Sequence, residues 1–531
     1  MAHSANAMQP RRGANAPRER VENAPIVPGD PYGAARIRRG VSFLVVGKAA
    51  TAVAGIGTFV LLVRVLPVEQ FAAYSILFAL VELVEAITGV GLSQILSRYV
   101  PELFVERRKH VLRMLVAAAL ALRFGILAVF LAAVYALAPT IAPLIGLADW
   151  EWAVRAYLAV VLVRVAATTL FGILESMLHQ AIAQLGFSLV AVLRFVLLAV
   201  AASQGSLDLE TVIVIELVTD IAGFGVMSIG TIRAIRRDAI GDDGRDEGWV
   251  RANARRMTEF GVKGYLQHLL ILPYGGSTNR ILVGASLSSG DVALFGFAQS
   301  VADLMERFLP VKLLAGVIRP VLTARYVRDR RFSDLEMAAN LILKINATLV
   351  CLAAVVIYSG GKPMLAQATG GKYSDGGVGI LLLMCALVLM YSVRFMLDHV
   401  CHAVEKNGPL MWSNAVITSS ILPGIAMLPS LGVYALPLAN VVGLVIGSWV
   451  LIRRLGAAGF HYRQDIAGLA GLLIATGIGM LIAEASRWAG IGWLPTVIAG
   501  AVAFVVGFLV LRPITPSERQ LLMSIVRQRR S

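Results

Sequence analysis

The 531-residue chain is poor in charge: Asp, Glu, Lys and Arg make up 15% of it, against 57% hydrophobic residues. That ratio excludes an intrinsically disordered protein, whose charge and low hydrophobicity prevent burial. It also exceeds what a water-soluble core of this length requires. Cysteine is scarce, with only Cys351, Cys385 and Cys401. Their spacing builds neither a disulfide framework nor a zinc site, and each falls in or beside an apolar stretch, as small core residues do. The seven histidines are mostly scattered and form no metal-ligand pattern. No nucleophile–base spacing stands out. A Gly-x-x-x-x-Gly-Lys-Ser/Thr loop is lacking, so nothing points to nucleotide hydrolysis. No catalytic centre, cofactor or metal is expected.

Apolar length dominates instead. The mean hydropathy is +0.75, and runs of about 20 apolar residues recur, each long enough to cross a bilayer core of about 30 Å. Fourteen spans are expected, near 40–63, 71–97, 113–137, 152–176, 180–203, 209–232, 260–283, 291–318, 336–358, 376–400, 409–428, 433–452, 465–486 and 493–511. The fold class is all-α and polytopic, with about 14 transmembrane helices. Pro273, Gly275 and Gly276 interrupt the seventh span, where neighbouring helices or cavity water must satisfy the freed backbone groups.

The formal charge of +15 fits topology better than nucleic acid, for which no motif appears. With the N-terminus inside, the basic clusters fall in alternate inner loops, and only Arg64, Lys362, Lys372 and Arg487 lie in outer ones. The positive-inside bias then places both termini in the cytoplasm. Residues 1–39 read as a disordered cytoplasmic tail and 512–531 as a basic one, whose Leu521, Leu522, Ile525 and Val526 suit either a surface helix or a solvated tail.

The rare polar residues reveal a repeat. One shift places Glu82 over Asp303, Glu85 over Glu306 and Arg98 over Arg319. A nearly equal shift places Glu175 over Asp398, His179 over His402 and Gln184 over Asn407. The shift spans six helices, an even number, so the expected architecture is a parallel repeat of two six-helix lobes. The lobes are 40–232 and 260–453, joined by a cytoplasmic linker at 233–259, with an extra helix pair at 465–511. Lobes of this kind bind substrate in the cleft between them.

The stretch TFVLLVRVLPVEQFAAYSILFALVELVEAITGVGLSQILSRYVPEL, residues 58–103, resembles the opening of the polysaccharide-transporter, or oligosaccharide flippase, family. The matching residues are Leu66, Pro67, Glu69, Phe71, Tyr74, Gly91, Leu92, Arg98, Tyr99, Pro101 and Glu102. The usual Gly before Pro67 is missing, and Ala72 stands where Gly is common. The resemblance implies export of a polyprenyl (pyro)phosphate-linked oligosaccharide across the cytoplasmic membrane by alternating access. Membrane lipids and glycan polymerase or ligase machinery are the further partners it implies. A multidrug or cation antiporter of the same superfamily is the alternative, and a membrane glycan polymerase or ligase a weaker one, since no outer loop is long enough to build its site.

Charges inside the spans mark the candidate site, because each costs roughly 2.5–3.5 kcal/mol at the centre of a lone helix and must face a partner or a wet cavity. Lys48, Arg123, Arg164, Arg194, Arg280 and Arg307 are the candidate substrate-binding residues. Guanidinium forks match phosphate oxygens bidentately and keep their charge at any working pH. Glu82, Glu85, Asp303 and Glu306 are candidate coupling or charge-balancing acids. The competing reading is an internal salt-bridge network that fixes helix packing.

Overall fold

A computed structural model describes residues 34–105, 109–177, 179–237, 248–313, 331–404, 406 and 408–528. Arg319 and Asn407 of the repeat, residues 1–33 of the expected N-terminal tail and 238–247 of the expected linker lie outside these residues. No strand occurs among the described residues.

The first half comprises α1 (Ala34–Val65), α2 (Val68–Thr88), α3 (Leu92–Val105), α4 (Lys109–Ala136), the short α5 (Ala138–Leu144), α6 (Glu151–Ser176), α7 (Gln180–Ser203) and α8 (Leu209–Arg237). Next come α9 (Gly248–Ile271), α10 (Gly276–Ser286), α11 (Ser289–Phe308) and α12 (Pro310–Leu313). They are followed by α13 (Phe332–Thr369), α14 (Ser374–Ala403), α15 (Gly408–Ser419), α16 (Ile421–Leu431) and α17 (Ala435–Ala457). The chain ends in α18 (Ile466–Trp488), α19 (Trp493–Leu511) and α20 (Pro516–Gln528).

Breaks fall where backbone chemistry demands them. Pro67 lacks an N–H and disfavours helix at Leu66, so α1 stops there and α2 starts afresh. Pro273, Gly275 and Gly276 separate α9 from α10. Gly361, at φ 52° and ψ −148°, breaks α13 in a region only glycine adopts readily.

Among the described residues, eleven segments are long and apolar enough to cross a membrane. One of them, Gly408–Ala457, contains α15–α16 and α17, which pack against each other. The span expected at 260–283 falls on α9 and α10, and the described part of the one at 291–318 on α11 and α12; charge in α9 and α11, and the short length of α10, keep them out of that set. Large apolar side chains point outward, Val129, Leu481 and Val510 among them. The chain is a multi-pass helical membrane protein.

α1 packs on α7, and α6 and α7 both pack on α8; α14, α15 and α16 pack on α17. α2 joins the two halves through α10 and α11. One continuous apolar core runs from Leu62 of α1 through Tyr157 and Leu343 to Leu455 of α17. The three free cysteines are buried. α18 and α19 cross where Gly479 and Gly500 let their backbones approach, and both rest on α13. Lys344 of α13, 1% exposed, binds Asp465 at 2.5 Å and Glu518 at 2.7 Å, tying α20 to the bundle.

Candidate functional site

A cavity of about 330 Å³ opens beside the middle of α2. Phe71, Tyr74, Ser75 and Phe78 supply its α2 wall at helical spacing. Ser300, Asp303, Leu304 and Arg307 do the same from α11. Thr51, Gly55, Thr58 and Phe59 contribute from α1, Arg164 from α6, Arg194 from α7, Asp220 from α8 and Arg280 from α10. Both halves of the chain therefore meet at one space.

Its charges are ordered differently on the two sides. On α8, Glu216 and Asp220 stand four residues apart, a like-charge pair on one face that needs compensation. Two guanidinium groups provide it. Arg164 Nε donates to Asp220 Oδ2 at 2.8 Å and Nη2 donates to Glu216 Oε2 at 2.9 Å, while Nη2 also lies 2.8 Å from Asp220 Oδ2. Arg194 Nη2 donates to Asp220 Oδ1 at 2.7 Å, and its Nη1 lies 3.3 Å from Glu216 Oε1. Glu216 is fully buried and also accepts the hydroxyls of Tyr74 at 2.9 Å and Tyr157 at 2.7 Å. Two cations thus face two anions, and the patch has no net charge.

On the other side, Arg280 Nη2 donates to Asp303 Oδ2 at 2.8 Å and to Ser300 Oγ at 3.1 Å. Gln299 Nε2 holds Asp303 Oδ1 at 2.9 Å. Arg280 Nε is buried without a hydrogen-bond partner among the described residues. Arg307 lines the cavity and makes no ion pair among the described residues. Four lining arginines face the lining Asp220 and Asp303 and, just behind the wall, Glu216, so one positive charge, that of Arg307, is left over. Arg164 and Arg280, from opposite halves, each lie 5.8 Å from the ring centroid of Phe78, which spaces them apart.

Of the residues singled out from sequence, Arg164, Arg194, Arg280, Arg307 and Asp303 come together here. The others stand elsewhere. Lys48 is exposed on α1. Arg123 is 3% exposed, and its Nη2 donates to the Glu85 carbonyl at 3.0 Å, satisfying an orphan acceptor in the last turn of α2. Glu82 accepts from Ser277 of α10. Glu306 pairs with Lys312 at 2.8 Å. Glu216, Asp220, Tyr74, Tyr157 and Phe78 had no assigned part in the sequence reading. The acids carried a signal, since Glu216 and Asp220 are intramembrane carboxylates one helical turn apart. Of the aromatics, Tyr74 stood only in the matched opening motif, and Tyr157 and Phe78 carried none.

Contacts between the halves bridge both ends of α2. At its start, Phe71 packs on Tyr373 with ring centroids 6.0 Å apart, and Tyr373 stacks on Phe297 at 5.1 Å. At its end, Tyr265 of α9 donates to the Ile87 carbonyl at 2.7 Å. Tyr99 of α3 meets the edges of Trp249 and Phe260.

Residues 37–324, more than half the chain, match a family model described as polysaccharide biosynthesis protein. Among solved structures, the fold is similar to that of the lipid II flippase MurJ in an inward closed conformation. The TM-score is 0.65 at 12% identity, over 88% of this chain and 98% of that one. It is also similar to a multidrug resistance MATE family transporter of the MOP superfamily in an inward-facing conformation. There the TM-score is 0.59 at 14% identity, over 77% of this chain and 95% of that one. A search of curated proteins finds no match. At these identities the likeness concerns the fold.

Proposed function

The chain belongs to the polysaccharide biosynthesis protein family, and from that premise we propose that it is a flippase for a lipid-linked oligosaccharide. The substrate carries a polyprenyl phosphate or pyrophosphate, and the protein moves it from the inner to the outer leaflet of the cytoplasmic membrane. The observation that carries the reading is the cavity. Four arginines from both halves converge on one space, with two lining aspartates against them. A phosphate-bearing headgroup has the charge and the fork-matching oxygens for such a wall. Arg307, exposed and with no ion-pair partner among the described residues, is the donor open to it.

The shape supports alternating access. The cavity lies between bridged ends, so opening one end while the other stays closed exposes the headgroup to one leaflet at a time. Moving an anion outward across an inside-negative membrane is favourable by about 2.3 kcal/mol per charge per 100 mV. In this reading both termini are cytoplasmic, and glycan polymerase or ligase machinery takes up the product. A multidrug antiporter is the second member of the fold to weigh. An organic cation would meet a net positive wall here, which favours the anionic substrate.

The test is reconstitution of the full chain in liposomes carrying a polyprenyl-pyrophosphate oligosaccharide, with glycan exposure read by an impermeant glycosidase. The expected result is protein-dependent exposure that falls at least tenfold in Arg307→Ala. Exposure no faster than in protein-free liposomes overturns the reading.

A further inference from the structure

We infer that Asp220 is a resident stand-in for the substrate's phosphate. It occupies the Arg164–Arg194 clamp while the cavity is empty and gives way when an anion binds. The inference rests on the cavity being the anion site proposed above and adds how that site is regulated.

The geometry is that of a bound oxyanion. Each carboxylate oxygen of Asp220 is held by a different arginine, Oδ2 by Arg164 Nε and Nη2 at 2.8 Å and Oδ1 by Arg194 Nη2 at 2.7 Å. A tetrahedral phosphate offers the same oxygens to the same forks. Glu216 differs in two respects. Its carboxylate accepts from two tyrosine hydroxyls as well as both arginines, and it does not line the cavity. Asp220 has only the arginines and stands at the cavity wall. Glu216 is the fixed counter-charge; Asp220 is the exchangeable one.

Charge bookkeeping gives the consequence. With both acids in place, the α6–α8 patch is neutral and does not attract an anion. The open donor is Arg307, on the other side of the cavity. An incoming phosphate engages that side first and reaches Arg164 and Arg194 only by displacing Asp220. The resident carboxylate weakens equilibrium binding and returns to expel the headgroup when the site opens outward. A carrier needs both properties, because an anion that kept Arg164, Arg194 and Arg307 together with no returning carboxylate would be released slowly.

Inorganic pyrophosphate is the probe, titrated calorimetrically into the full-length protein in lipid nanodiscs. Asp220→Asn should bind it at least tenfold more tightly than wild type, and in liposomes should lower the KM for glycolipid together with kcat. Glu216→Gln should not tighten binding. If Asp220→Asn assembles and binds pyrophosphate no more tightly than wild type, the inference falls while the anion site stands, provided wild type binds and Arg307→Ala does not. If no variant and no wild-type protein binds pyrophosphate, the anion-site reading falls with it. Should Asp220→Asn fail to assemble, infrared difference spectra in the Asp303→Asn background decide. Pyrophosphate should shift an arginine-bound carboxylate band, and a spectrum without that change overturns the inference.

Discussion

Gly91, in the turn after α2, and Gly261 of α9 meet backbone against backbone. A Cβ built on Gly91 would lie 2.3 Å from the Gly261 carbonyl oxygen, and its φ of +77° is itself a glycine conformation. They bring α9 against the chain just after α2, at the end of α2 that Tyr265 also bridges. Gly91→Val should therefore hold that end apart. A cysteine placed at Thr51 in the cavity wall should then react faster with an impermeant thiol reagent from that side, and glycolipid transport should fall. Unchanged labelling would show that the contact does not gate the cavity.

Arg164 and Arg307 should fail in different ways. Removing Arg164 leaves Glu216 and Asp220 buried against Arg194 alone, and breaking such a buried pair typically costs about 3–5 kcal/mol. Arg164→Ala should lower the melting temperature in detergent markedly. Arg307→Ala removes no ion pair among the described residues, so it should melt close to wild type and lose transport. Equal melting of the two variants would contradict the different bonding of the two arginines.

Asp465 gives the bundle an acid-sensitive fastening. Burial raises its carboxyl, but hydrogen bonds from Lys344 and the Gly468 amide outweigh that and hold it below the usual carboxylate range. A carboxyl depressed on folding stabilises above its unfolded value of about 3.9 and loses that contribution as pH falls through its folded value. Melting should therefore be insensitive to this group from pH 7 to 5 and decline below about pH 4. Asp465→Asn should melt lower at neutral pH with a shallower acid decline, followed by calorimetry across pH.

Lys372 fastens the other end. Its ammonium donates to the carbonyls of Arg64 at 2.8 Å and Leu66 at 2.6 Å, capping the end of α1 from the loop between α13 and α14. Last-turn carbonyls have no intrahelical partners, so a cation there serves both hydrogen bonding and the helix dipole. Lys372→Met should speed amide exchange in the last turn of α1 and at Phe71, measured by hydrogen–deuterium exchange. An exchange pattern matching wild type would rule out a role in that closure.

Much of the fold was legible in the sequence because the bilayer leaves few solutions. A backbone crossing hydrocarbon must bond to itself, so apolar runs of the right length are helices, and Pro67 or Pro273 with Gly275 and Gly276 mark where they stop. The turn at Gly432 that separates α16 from α17 falls between the spans expected at 409–428 and 433–452. Site membership was only partly legible. Arg164 and Arg123 are both intramembrane arginines, yet one walls the cavity and the other caps α2. Nothing in their local sequence separates them. Glu82 and Asp303 occupy matched positions of the repeat, yet one binds Ser277 and the other Arg280.

The sequence by itself determined that this is a helical membrane protein whose spans carry more charge than lipid tolerates, and therefore that those charges must meet one another or water. Tertiary structure alone decided which charges meet, which carboxylate occupies the arginine clamp and which arginine faces the cavity without an acid. The reason is geometric. A guanidinium finds its partner within about 3 Å, and that distance is set by the rotation and crossing of helices far apart in the chain.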